Sequence, residues 1–216
     1  MKNLSAFVRT ACVTAGLLSA MGSSTAAQLT TTGGSFASLI GISGDFNPNW
    51  LGGESLYSAE FDLTSMLRGA NLGLSSAAAG VTFTLVGYEA GFNNAFLFGG
   101  QRLNNRANST PLLGESLSFA SQAQGSLNYG FLSNGLGNLF GNGSSNTGVI
   151  LSRDRTSALL LFNDTYIDAD LDDMVVRLNV SPVPEPETFA MLLGGLGLIA
   201  AAMKRRRQQD PGCATA

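Results

Sequence analysis

The stretch from Val183 to Arg207 sets the tightest limits on what this chain can become. It opens with Val183-Pro184-Glu185-Pro186-Glu187, continues through the apolar run Thr188 to Met203 (TFAMLLGGLGLIAAAM) and ends in Lys204-Arg205-Arg206-Arg207. Each proline fixes φ and removes an amide donor, so the acidic turn stays extended and exposed. The apolar run reaches roughly 24 Å as a helix at about 1.5 Å per residue, short of a hydrocarbon core of about 30 Å. It is a marginal membrane span, with its basic end held on the cytoplasmic side. No globular core is needed to explain this segment, so the fold lies upstream of it.

The order Pro-Glu-Pro, short apolar run, arginine cluster resembles the PEP-CTERM sorting signal of Gram-negative bacteria, over about a tenth of the chain. The resemblance implies a sorting site at Val183, Pro184, Glu185 and Pro186 with Arg205, Arg206 and Arg207 behind it. It also implies an exosortase-type partner that cuts near this site, and transient residence in the inner membrane. The competing reading is a plain C-terminal membrane anchor, for which Val-Pro-Glu-Pro has no use. Residues 208–216 then form a cytoplasmic tail.

The other end reads as a secretory signal peptide over 1–27. Lys2 and Arg9 charge its start, Ala11 to Met21 is apolar, and small residues run from Gly22 to Ala27. Cys12 precedes the leucines and is not placed as a lipoprotein cysteine. A polar middle between two membrane-directed ends is an exported middle.

That middle, residues 28–182, is long enough for one domain with its own core. It contains no cysteine, lysine or histidine, and it sets six arginines against twelve carboxylates, a net charge of −6. An acidic field disfavours nucleic acid and attracts cations. Without histidine, Ser-His-Asp and Cys-His catalysis and the usual zinc sites are excluded, and without exported Cys or Lys so are thiol and Schiff-base nucleophiles. A carboxylate pair among Glu54, Glu60, Glu89 and Glu115 acting on a glycan is the surviving catalytic option. The expectation is a protein that is not an enzyme.

Short alternating runs separated by Gly- and Asn-rich turns predict a mainly β chain, an antiparallel β-sandwich of jelly-roll type, followed by a single hydrophobic C-terminal helix. Strands are predicted at 55–63, 81–88 (VTFTLVGY), 158–162 (ALLLF) and 174–180 (MVVRLNV), with a short helical turn at 64–70. The Gly/Asn-dense stretch 134–148 reads as a surface loop, and its glycines miss both phosphate-binding and dinucleotide spacings. Gly91 to Gly100 (GFNNAFLFGG) has two readings: a strand and turn filling the core, or an exposed patch of Phe92, Phe96 and Phe98 near Tyr88 and Glu89 that would stack on glycans.

One constellation carries chemistry. Asp164, Asp168, Asp170, Asp172 and Asp173 lie within ten residues between the last two strands. Alternating carboxylates in one loop suit Ca²⁺, a hard ion that takes six to eight oxygens. The loop is not an EF-hand, since no glycine sits at its sixth position and Asn179 stands where the bidentate Glu belongs. The competing reading is a solvated acidic loop whose aspartates cap their own turns. The same region resembles a bacterial surface domain of unknown function ending in F-x-D and D-x-D-[FY]-N-D-[LM]-V-V. Phe162, Asp164, Asp168, Asp170, Asp173, Met174, Val175 and Val176 match, Leu171 replaces the aromatic and Asp172 the Asn, and Val86 to Asn94 resembles an earlier strand of such domains. The resemblance implies a β-sandwich compatible with calcium binding and no known reaction. Together these features predict a protein sorted to the surface or exopolysaccharide matrix of a Gram-negative bacterium, in a structural or adhesive role. The alternative is a secreted glycan-binding module or glycoside hydrolase.

Overall fold

The computed structural model describes residues 27–38, 54–76, 79–89, 92–108, 110–133, 137–164, 171–181 and 186–209. The chain divides into two compact units, residues 26–183 and a second made of 1–25 with 184–216. The first is the β unit. Its leading elements are β1 (Leu29–Ser38), α1 (Glu54–Glu60), β2 (Ser65–Leu74) and β3 (Ala79–Gly87). Next come β4 (Asn94–Phe98), β5 (Gln101–Asn104), β6 (Arg106–Ala107), β7 (Thr110–Pro111), β8 (Ser116–Gln122) and β9 (Gly125–Ser126). It closes with β10 (Gly130–Ser133), β11 (Asn138–Gly141), β12 (Thr147–Leu151), β13 (Ser157–Phe162) and β14 (Met174–Ser181).

The large sheet has the order β1-β2-β12-β13-β14-β3-β8, with β9 added beside β2, and the small one β11-β10-β4-β5. Every named pair in both sheets is antiparallel. The two sheets pack as a sandwich around a core of aromatic rings. Phe83 in the large sheet lies 4.7 Å from Phe96 and 4.6 Å from Phe98 in the small one, centroid to centroid, and Phe131 stacks on Phe162 at 4.8 Å and 4°. Each such pair adds about 0.5–1.5 kcal/mol beyond the area it buries.

A second, mainly aliphatic core covers the outer face of the large sheet. Leu159, Leu161, Val175, Ile150 and Val86 meet Tyr57 and Phe61 there. This explains β13: Ala158, Leu160 and Phe162 face the aromatic core while Leu159 and Leu161 face the outer one, so its run is apolar on both sides. In β14, Val176, Leu178 and Val180 point inward and Val175 outward, the predicted alternation.

Three sequence expectations are corrected. Residues 54–60 are helix rather than strand. Tyr57 and Phe61 stand one turn apart, both buried, with Ala59 exposed between them, so the apolar period is four rather than two. Residues 65–74 are strand rather than helical turn, and 137–148 contain β11 and the start of β12 rather than only a loop.

The reason β2 escapes a period-two reading is specific. Leu72 and Leu74 face the aromatic core, yet Met66, at the same parity, faces the outer one; in β1 Leu29 and Ala37 show the same exchange. Between them the pairing passes from Gly33↔Ala70 to Ser35↔Arg68, leaving out Gly34 and Gly69, which have φ of 77° and 70°. One extra residue in each strand turns the ribbon over. A Cβ on Gly34 would lie 2.8 Å from the Ala70 backbone nitrogen, so only glycine fits the crossing.

Candidate functional site

The second unit contains α2, Pro186–Gln209. Proline is suited to the first helical turn, where its missing N–H has no intrahelical acceptor anyway. From 191 to 204 every side chain is exposed, including Leu192 at 59% and Leu198 at 75%. These apolar residues circle the helix rather than forming a stripe, the pattern of a helix surrounded by an apolar medium. Among the described residues no helix is long and apolar enough to cross a membrane, so a transmembrane role for α2 is not carried by its geometry. Of the expected sorting residues, Pro186 begins α2, and Arg205, Arg206 and Arg207 continue its backbone. Val183, Pro184 and Glu185 lie outside the described residues, as does the expected leader up to residue 26.

The aspartate constellation sits on two well-anchored roots. Asn163 and Asp164 follow β13; Leu171, Asp172 and Asp173 precede β14; Asp168 and Asp170 lie outside the described residues. Asp164 is 1% exposed and Asp172 3% exposed. Asn94 Nδ2 donates to Asp164 Oδ2 at 2.6 Å, and the Asp164 N–H donates to Asp173 Oδ2 at 2.6 Å. Ser133 Oγ donates to the Asp164 carbonyl at 3.1 Å. Asn94 is itself held by Asn105, whose Oδ1 accepts from the Asn94 N–H at 3.0 Å. On the other root the Glu89 N–H donates to the Asp172 carbonyl at 3.1 Å, while Leu171 is buried in the outer core. The structure thus brings Asp164 and Asp173 together and adds Asn94, a residue the sequence alone did not single out. Its Oδ1 is buried and, among the described residues, has no hydrogen-bond partner. Among the described residues no group of three His, Cys, Asp or Glu is placed to hold a metal ion.

The aromatic patch divides. Phe96 and Phe98 are buried among the rings of the core, and Phe92 is half exposed. The core-filling reading holds for the described part, 92–100, where β4 carries Phe96 and Phe98 into the core, and these three phenylalanines form no stacking platform. Of the candidate carboxylates, Glu60 is engaged in an ion pair. Glu60 is bound to Arg177 at 2.7 Å, under a guanidinium 5.9 Å from the centroids of Tyr57 and Phe61. Burial raises the Tyr57 hydroxyl, and the Arg177 charge opposes that shift. A cleft of about 480 Å³ lined by Leu97, Asn128, Tyr129, Leu139 and Asn142, among others, has no charged residue in its walls. Tyr129 is its one titratable group, and burial pushes that hydroxyl far above its ordinary value.

Residues 182–207 match the family model of the PEP-CTERM protein-sorting motif. No curated protein and no solved structure matches the chain. The motif marks an exported protein recognised by an exosortase-type processing enzyme.

Proposed function

We propose that this bearer of a PEP-CTERM sorting motif places its β unit at the cell surface or in an exopolysaccharide matrix of a Gram-negative bacterium, in a structural or adhesive role without catalysis. The motif at 182–207 carries the reading, since it begins immediately after β14 ends at Ser181. The absence of histidine, cysteine and lysine from 28–182 supports the non-catalytic part, as does the pairing of Glu60 with Arg177. In this reading the chain resides transiently at the inner membrane, with Lys204 to Arg207 on the cytoplasmic side. Cell fractionation tests it. The expected product is a shortened protein in the outer fractions that disappears when Pro184 and Pro186 are both replaced by alanine. A full-length product in the inner membrane, in parent and variant alike, overturns it.

A finer reading concerns Ca²⁺ at the aspartate loop. The observation that favours it is Asn94 Oδ1, a buried hard oxygen with no partner among the described residues, beside the buried Asp164 carboxylate. Asp164, Asp172 and Asp173 with Asp168 and Asp170 would supply the remaining oxygens. An ion bound only to the folded state raises the melting temperature. Millimolar Ca²⁺ is expected to raise it relative to chelator, and Asp170→Ala to reduce that rise. An unchanged melting temperature in the parent removes the metal.

A further inference from the structure

The cleft beside Tyr129 is lined by residues of the small sheet and of β2 and β9, all within the β unit. Its shape follows from the local sequence. The turn between β4 and β5 is Gly99-Gly100, with φ of 57° and 77°, the two-residue hairpin geometry that glycine serves best. A Cβ at Gly99 would meet Phe119 Cε1 at 2.6 Å, whereas at Gly100 or Gly141 it would meet nothing within 4 Å. Bare backbone at these positions leaves room in the cleft that a side chain would fill. One wall is fixed in advance by Asn142. Its Oδ1 accepts from the Leu72 N–H at 2.8 Å, and its Nδ2 donates to the Leu72 carbonyl at 2.7 Å and the Leu127 carbonyl at 2.8 Å. The Asn142 N–H donates to the Tyr129 carbonyl at 3.0 Å. A cleft built this way binds without first having to reorganise.

We propose that this cleft binds a neutral sugar unit of a polysaccharide, an inference that rests on the matrix reading above and gives it a contact site. At about 480 Å³ the cleft has the size of a small-molecule site, for which the usual range is about 300–1,000 Å³. None of its lining residues is charged, so an ionic ligand would lose water there without gaining a counter-charge. The net −6 of the region 28–182 further disfavours an anionic polymer. Asn71, Ser126 and Asn128 are exposed and present amide and hydroxyl groups that both donate and accept. Leu97 and Leu139 add apolar surface, and Leu139 is 66% exposed. A sugar ring has the matching mixture, with hydroxyls around its rim and C–H groups on its faces. An independent observation comes from Tyr129, which is 4% exposed and whose hydroxyl has no hydrogen-bond partner among the described residues. A buried hydroxyl left unpaired carries a desolvation penalty, and a ligand hydroxyl at the same wall offsets it.

The test uses the full chain in micelles of a zwitterionic detergent, since a sugar-headed detergent would compete. Saturation-transfer NMR is read against maltotriose, cellotriose and laminaritriose, with trigalacturonate as the anionic counterpart. At least one neutral trisaccharide should show transfer and bind more tightly than trigalacturonate. Asn71→Ala combined with Asn128→Ala should lower that affinity about ten-fold, the equivalent of one or two lost hydrogen bonds. The melting curve of this variant should match the parent, because both side chains are exposed. Tyr129→Phe, which keeps the ring in the core and removes only the hydroxyl, should weaken binding as well. No transfer to any neutral trisaccharide, tighter binding of trigalacturonate, or an affinity unchanged by either substitution overturns the proposal. Fractionation reads sorting separately: a shortened product in the outer fractions that binds no sugar leaves the sorting reading standing and removes the cleft alone.

Discussion

The β unit and the C-terminal helix use the same apolar residues to opposite ends. Leu159, Leu160 and Phe96 are fully buried within the two hydrophobic clusters of the β unit. Leu192 and Leu198 in α2 stand with more than half their surface exposed, on all sides of the helix. The first arrangement stabilises a fold in water by removing apolar area from it. The second removes none of that area from water. Hydrophobicity alone does not separate the two; period and flanking residues do. ALLLF is bounded by turns and lies in a sheet, whereas TFAMLLGGLGLIAAAM is bounded by Pro-Glu-Pro and Lys-Arg-Arg-Arg.

The comparison breaks most readily at Phe96. Phe96→Ala should cost about 3–5 kcal/mol and lower the melting temperature of the β unit by on the order of 10 °C, while Leu192→Ala leaves it where it was. Near-ultraviolet circular dichroism follows the aromatic core directly, and equal shifts from the two variants would abolish the distinction. Next in size is Gly34→Ala. A side chain there meets the Ala70 backbone at 2.8 Å with φ at 77°, so a loss of about 1–3 kcal/mol is expected in thermal melts. The smallest effect sharpens the comparison through pH. Asp154 accepts from Ser152 Oγ at 2.7 Å, from the Thr156 N–H at 3.1 Å and from Thr156 Oγ1 at 2.9 Å, and these bonds hold its carboxyl below the ordinary carboxylate range. A depressed folded-state value contributes stability that is complete above the unfolded value, about 3.9, and disappears as pH falls through the folded one. Asp154→Ala should therefore lower the melting temperature slightly at pH 7, and the difference from the parent should vanish at the acid end of the titration.

Legibility in the sequence followed the same division. The two-sided burial of β13 and the alternation of β14 were readable because no glycine interrupts either run. The sorting segment was readable because proline, charge and apolar length each restrict the backbone or its solvent independently. What stayed hidden depended on long-range partners. The helical period of α1 shows only once Tyr57 and Phe61 are seen to share the outer core. Asn94 is an ordinary strand residue until β4 carries it within 2.6 Å of Asp164, seventy positions later. The parity of β2 is scrambled at a single glycine, which no window average can detect.

The turnover of the β1–β2 ribbon at Gly34 and Gly69 has a mechanical result. Because one ribbon is stitched into both layers, neither layer can loosen without dragging on the other. Melting of the outer aliphatic layer therefore pulls Leu72 and Leu74 from among the rings, and the β unit should come apart in one concerted transition, with far- and near-ultraviolet signals lost together.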